Sequence, residues 1–425
     1  MQLIVEGSTL QGEVEIPGSK SHTIRAVAIA ALAQGESHIR CPLDSADTRA
    51  SVHAYRALGA QIHTGDAVWH VHGTGGALRT PEDVIDVRNS GTTMNVALGS
   101  AALLGKGAAI LTGDEQVRRR PNGPLAAALN KLGASVRSTR NNGCPPFIVK
   151  GRLKGGECTI KAMTSQYVTS LLMNCPLAEK DTHLDVPLMY EKPYVNITLD
   201  WLARQGAKVE YDAELTDFRI PGGQQYLPVD RRIPGDFSSA TFFLAAGALS
   251  DNEVLCRGLD MSDTQGDKAV VNYLEQMGAS ISHEREGIRV RAQGLRGCEI
   301  DLNATPDALP MMAAVGCFAK GRTRLVNVPQ ARLKETDRIT VMRQELEKLG
   351  AKIRELKDGL EIEESGLHGG EVEGHGDHRV VMSLAIAATM LPGTTRINGY
   401  EAVNVTFPGF QQVLQGLGAR VRVVE

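Results

Sequence analysis

The chain has 425 residues, 42% hydrophobic and 22% charged, with a formal net charge of −3, which is the make-up of a globular protein large enough for two or more domains. Aromatics at 4% and a slightly acidic balance speak against a base-stacking or general polyanion-binding surface, so no nucleic-acid partner is expected. No apolar run is long enough to span a membrane and the start, MQLIVEGSTL, has no leader-like pattern, so a cytoplasmic protein without membrane attachment is expected.

The first predicted helix follows PGSKSHTIRA at 17–26, where a serine is available to cap and Lys20, Ser21 and Arg25 gather at the helix mouth. Two readings stay open there: a phosphate site built on a helix N-terminus, or a capped helix with two solvated cations. The P-loop spacing is absent. Similar starts recur along the chain, each a polar segment followed by a small-residue apolar helix: RNSGTTMNVA, MTSQYVTSLL, PGDFSSATFF, ATPDALPMMA and HGDHRVVMSL. A second phrase runs in step with the first, in AYRALGAQI, AALNKLGASV, DWLARQGAKV, YLEQMGASI, ELEKLGAKI and VLQGLGARV. Its glycines, Gly59, Gly133, Gly206, Gly278, Gly350 and Gly418, predict helix ends in the left-handed conformation with a strand close behind.

These phrases define six α/β units of about 72 residues, each with two helices and several strands. A Rossmann-type sheet is the alternative, but no G-x-G-x-x-G follows a strand. The Ala-, Gly- and Leu-rich helices are expected inside, screened by sheets, with their polar starts converging to favour anions.

Four further segments carry charge. VRRRPNGPL at 117–125 reads as an anion clamp or a solvated basic loop, with Pro121 placed to open a helix. KETDR at 334–338 reads as an exposed salt-bridged helix with Lys334, Glu335 and Arg338 close together, or as part of a structured junction. GHGDHR is weak as a metal site because its histidines lack clustered partners, and seven scattered cysteines with no C-x-x-C pair indicate neither a zinc ribbon nor a disulfide framework. Asp307 in ATPDALPM reads as a helix cap or a general base.

Taken in order, PGSKS with Arg25, NSGTT, RRRP, TSQY, EKPY, the Asp of TPDALP, KETDR and GDHR resemble the successive signatures of the 5-enolpyruvylshikimate-3-phosphate synthase family. The sister family acting on UDP-N-acetylglucosamine normally relies on a loop cysteine that VRRRPNGPL lacks. The resemblance implies a two-domain inverted α/β barrel, three repeats per domain. One domain is expected over 1–18 plus 231–425 and the other over 19–230, with the active site in the cleft between them. It implies transfer of the enolpyruvyl group of phosphoenolpyruvate to the 5-hydroxyl of shikimate 3-phosphate by addition and elimination, without metal or organic cofactor, in a monomer. By the same resemblance Lys20, Ser21, Arg25, Thr164, Ser165, Gln166, Asp307, Gln330 and Lys334 hold shikimate 3-phosphate. Lys20, Gly91, Arg120, Gln166, Arg338 and Arg379 hold phosphoenolpyruvate, and Asp307, Glu335 and Lys20 carry protons. Gly91 is expected to leave room beside phosphoenolpyruvate.

The chain departs from the family pattern at Asn95 and Val96, which replace an Arg-Pro pair. Glu191 replaces a phosphate-binding serine, Gln330 an asparagine and Glu401 a lysine. Two other readings accompany the main one: an enolpyruvyl transferase for another acceptor, and an anion-binding repeat scaffold without turnover.

Overall fold

The recurring glycines explain the architecture. In a computed structural model describing residues 1–425, all six have φ between 80° and 110°, a conformation that costs an L side chain free energy and glycine little. Each stands just past a helix. In the unit Gly18–Ile233 the helices are α1 (Lys20–Leu32), α2 (Ala46–Ala57), α3 (Gly91–Ala101), α4 (Gly123–Lys131), α5 (Ser165–Asn174) and α6 (Lys192–Arg204). In the unit made of Met1–Pro17 and Pro234–Glu425 they are α7 (Phe237–Ala248), α8 (Ala269–Gln276), α9 (Leu309–Phe318), α10 (Arg338–Lys348), α11 (His378–Thr389) and α12 (Phe410–Gly416). Gly59, Gly133, Gly206, Gly278, Gly350 and Gly418 terminate the even-numbered helices, and a strand follows each within a few residues.

Six four-stranded sheets result, three in each unit, and all six share one plan. A parallel edge strand joins a central strand, and two further strands follow antiparallel. In the first unit, for example, Asp230–Arg232 pairs parallel with Gln34–Arg40, which pairs antiparallel with Val68–Thr74 and through it with Gln61–Thr64. The six sequence repeats are therefore six equivalent structural units, and the expected mixed α/β architecture is what the chain adopts.

The odd-numbered helices form the interiors, as their composition predicts. Every residue of α7 is buried, as are eleven of the thirteen in α1. Within one unit α3 packs on both α1 and α5; within the other, α7, α9 and α11 pack pairwise. Small side chains permit this close approach: a Cβ on Gly99 of α3 would stand 2.5 Å from Asn174 Nδ2 and Ser170 Oγ of α5. The even helices are amphipathic, with only three of eight residues buried in α8. No helix is long and apolar enough to cross a membrane.

Two local expectations are corrected. The helix after VRRRP opens at Gly123 with Pro124 in its first turn, and Pro121 lies before it. KETDR is not helical throughout: α10 begins at Arg338, capped by the Asp337 side chain, which accepts from Thr340 N–H at 3.1 Å.

Candidate active site

Each unit gathers polar side chains at the starts of its inner helices. In the first unit, Ser19 caps α1 by accepting from His22 N–H at 3.5 Å, which places Lys20 on the first turn. The Lys20 ammonium lies 3.1 Å from the buried carboxylate of Asp47, at the start of α2. Ser21, half-buried, offers its carbonyl to Arg25. Arg25 is enclosed by protein. Its guanidinium donates to Thr198 Oγ1 (2.9 Å), the Ser21 carbonyl (2.9 Å), Thr169 Oγ1 (3.3 Å) and the Tyr194 carbonyl (2.9 Å). Four of its five N–H donors are thus engaged, three of them tying α1 to α5 and α6, and burial lowers its pKa to about 10.

The three arginines of VRRRP separate. Arg118 donates to the Gly113 carbonyl, and Arg119 forms an exposed pair with Glu115. Arg120 lies across the start of α3, so close that a Cβ on Gly91 would stand 2.4 Å from its Nη1. The space left by the missing side chain of Gly91 is thus filled by the Arg120 guanidinium. Beside them runs a chain of amides. Gln166 donates to Thr92 Oγ1 (3.1 Å) and accepts from Asn95 (2.8 Å), which also donates to the Gly91 carbonyl (2.9 Å) and accepts from Asn122 (2.8 Å). Asn95 therefore fixes the Gln166 amide with its NH2 group toward Thr92. The first turns of α3 and α5 meet here.

Thr164 caps α5 and Ser165 opens it. Their donors are already engaged: the Glu191 carboxylate accepts from Thr164 Oγ1 (3.1 Å), Ser165 N–H (3.1 Å) and Ser165 Oγ (2.9 Å). Glu191 is buried, with φ 61° at the start of α6. Lys192 is directed elsewhere, to Glu214 at 3.3 Å.

In the second unit Arg338 is the centre, with only 1% of its side chain exposed. It forks onto Asp377, from Nε to Oδ2 (2.8 Å) and from Nη2 to Oδ1 (3.3 Å), while donating to Asp307 Oδ1 (2.8 Å) and Glu335 Oε2 (2.6 Å). Burial works against its charge, but Asp377, Glu335 and Asp307 together more than reverse that and hold its pKa above the ordinary value. The reading of KETDR as an exposed helix is thereby overturned. Arg379 completes the cluster, with Nη2 2.9 Å from Asp307 Oδ2 and Nη1 3.5 Å from the Ser238 carbonyl. Arg379, on the first turn of α11, thus meets the starts of α7 and α9, and Asp307 and Asp377 join it to Arg338. Asp307 is no cap: its two oxygens face two arginines. Gln330 is buried and donates to the Asn303 carbonyl at 2.9 Å, while Lys334 is half-buried between Gln330 and the cluster in sequence. In GHGDHR, His375 lies 2.8 Å from Glu345, and Asp377 caps α11 through Arg379 N–H while holding Arg338.

The partners that sequence reading missed are Asp47, Asn122 and Asp377. Asp377 lies within a recognised signature, but nothing local links it to Arg338, 39 residues earlier.

A family model for EPSP synthase (3-phosphoshikimate 1-carboxyvinyltransferase) matches residues 4–414. The chain belongs to the EPSP synthase family. A 3-phosphoshikimate 1-carboxyvinyltransferase of Acetivibrio thermocellus is 53% identical over 425 residues, and one of Ruminiclostridium cellulolyticum is 50% identical over 424; each match covers 100% of both chains. Among solved structures, EPSP synthase from Acinetobacter baumannii superposes with a TM-score of 0.84 at 27% identity and full coverage of both chains. The enolpyruvyl transferase NikO from Streptomyces tendae shares the fold, with a TM-score of 0.78 at 20% identity over 99% of this chain and 98% of that one. As a member of the EPSP synthase family this chain is a transferase.

Proposed function

We infer that this chain transfers the enolpyruvyl group of phosphoenolpyruvate to the 5-hydroxyl of shikimate 3-phosphate, releasing phosphate, in the route to aromatic amino acids. The observation that carries this reading is the cluster in which Arg338 and Arg379 hold the two oxygens of Asp307, in a chain of this family. Phosphoenolpyruvate carries a carboxylate and a phosphate, groups that guanidinium forks bind bidentately. When it engages Arg338, Arg379 and Arg120, Asp307 surrenders part of its hold on the arginines and becomes a stronger base.

In the addition step Asp307 takes the proton of the 5-hydroxyl while its oxygen bonds to C2 of phosphoenolpyruvate. The methylene carbon gains a proton from the side of Lys20 and Glu335. In the elimination step that carbon loses a proton and the C2–O bond to phosphate breaks, so the acid and base exchange roles. Lys20, paired with Asp47, has a carboxylate to return to when the site empties. Gly91 and Gln166 adjoin Arg120 and Asn95 on the phosphoenolpyruvate side. Ser21, Thr164, Ser165, Gln330 and Lys334 hold the shikimate phosphate substrate. Arg25 contributes chiefly by holding α1, α5 and α6 in place.

Phosphate release from phosphoenolpyruvate with shikimate 3-phosphate as sole acceptor tests the reading. Turnover only with a different alcohol refutes the acceptor, and none with any acceptor refutes the enzyme. Asp307→Asn keeps the size of the side chain and is expected to lower kcat by about 10²–10⁴-fold. A rate within threefold of the parent would remove Asp307 from the chemistry.

A further inference from the structure

We propose that Glu36, His38 and His70 bind one divalent transition-metal ion of the zinc class on the outer face of the sheet containing Gln34–Arg40 and Val68–Thr74. Strand alternation assembles the group. Ser37 and Ile39 are buried on one side while Glu36 and His38 point to the other; Trp69 and Val71 flank His70 in the same way. Register then places His38 directly opposite His70, and His63 opposite His70 on its other side, while His72 stands opposite Glu36. Four imidazoles and a carboxylate thus share one face of three hydrogen-bonded strands.

The distances suit ligation. Glu36 Oε1 lies 3.5 Å from His38 Nε2 and 3.8 Å from His70 Nδ1, and the three ligand atoms all lie within 4.8 Å of one another. Ligands bound at about 2.0–2.1 Å in a tetrahedron stand about 3.4 Å apart, so rotation of exposed side chains closes the remaining gap. The backbone beneath is already fixed by the sheet, which keeps the ordering cost low. Two imidazole nitrogens and one carboxylate oxygen form a borderline donor set that suits zinc and its neighbours over calcium or magnesium. His63 or water supplies the fourth ligand. The nearby Asp230 does not compete, because both its oxygens are engaged by Arg40, at 2.9 and 3.2 Å.

The buried face of this sheet packs on α1, so the ligands point away from the helix that carries Lys20. The site is independent of the transferase reading and is expected to act as a clip between strands. The test uses the untagged full chain, stripped with a chelator and titrated with zinc chloride by calorimetry. One zinc per chain is expected, with a melting temperature that rises with zinc concentration. His38→Ala and His70→Ala should each weaken binding at least tenfold while leaving turnover and the metal-free melting temperature unchanged. His368→Ala, on an isolated exposed histidine of the other unit, should leave binding intact. In the unaltered protein, zinc should move the imidazole resonances of His38 and His70, a readout that needs no substitution. Failure to find saturable one-to-one binding, or binding that survives both substitutions, would overturn the proposal.

Discussion

At the residue scale the Arg338 cluster is the most committed feature of the chain. A guanidinium with 1% exposure is sustained by three carboxylates, one of them fully enclosed. Removing a partner from a buried pair leaves an uncompensated charge, which costs about 3–5 kcal/mol. Asp377→Ala leaves Arg338 two of its three carboxylates, so a smaller loss of unfolding free energy, about 1–3 kcal/mol, is expected in urea titrations, with kcat depressed because Arg338 and Asp307 lose their alignment. Glu191 poses the opposite case. Its carboxylate sits on the Ser165 and Thr164 donors that are proposed to take the substrate phosphate, and two anions on one donor set repel. Glu191→Gln should lower KM for shikimate 3-phosphate severalfold with kcat nearly unchanged; a raised KM would mean that the carboxylate moves aside or helps orient the phosphate. At Gly91, an added methyl meets Arg120 at 2.4 Å. Gly91→Ala is expected to displace that side chain and raise KM for phosphoenolpyruvate, measured by steady-state kinetics, more than it alters KM for the other substrate.

At the scale of the element, the even helices end on glycine for a reason that can be measured. Gly278 has φ 104°, and a Cβ there would meet Gly294 O at 3.4 Å, an ordinary contact, so the cost of Gly278→Ala is conformational. A loss of about 1–2 kcal/mol with activity retained is expected from thermal unfolding. Helix α10 carries a pH-sensitive contact of its own. Glu345 is buried, and although burial alone would raise its pKa, bonds from His375 and Lys348 and from the Glu373 N–H lower it below the ordinary 4.5. A carboxyl with a depressed folded-state pKa contributes stability above its unfolded value and loses it as pH falls through the folded one. Parent and Glu345→Gln proteins should therefore differ in urea midpoint at neutral pH and draw together as the pH falls below 4.5.

At the scale of the whole molecule, the two ends of the chain complete one sheet. Gln2–Glu6 is a central strand between Thr394–Asn398 and Arg420–Val424, and Gln11–Glu15 forms the parallel edge beside Glu253–Arg257. Deleting residues 1–17 removes a central strand from one sheet and an edge from another in the unit that carries Arg338. That unit is expected to lose cooperative unfolding and to be degraded first in limited proteolysis, while Gly18–Ile233 keeps its internal contacts.

The sixfold repeat, the left-handed glycines, the buried small-residue helices and a serine-capped first helix were legible in the residues alone. Each depends on residues within one or two turns of each other, where backbone preference and side-chain periodicity act directly. The ordered signatures also carried the family. Which polar groups meet depends on how the helices pack: Arg338 with Asp307 and Asp377, Lys20 with Asp47, Glu191 with Ser165, Arg120 against Gly91. Those partners are separated by some 26 to 39 residues along the chain. Coulombic and hydrogen-bonding groups carry no local sign of their partner, because many pairings satisfy the same charge and only the packing of the helices selects among them. Arg25 shows the consequence. Its residue type suits a ligand, and the fold spends most of its donors on holding three helices together.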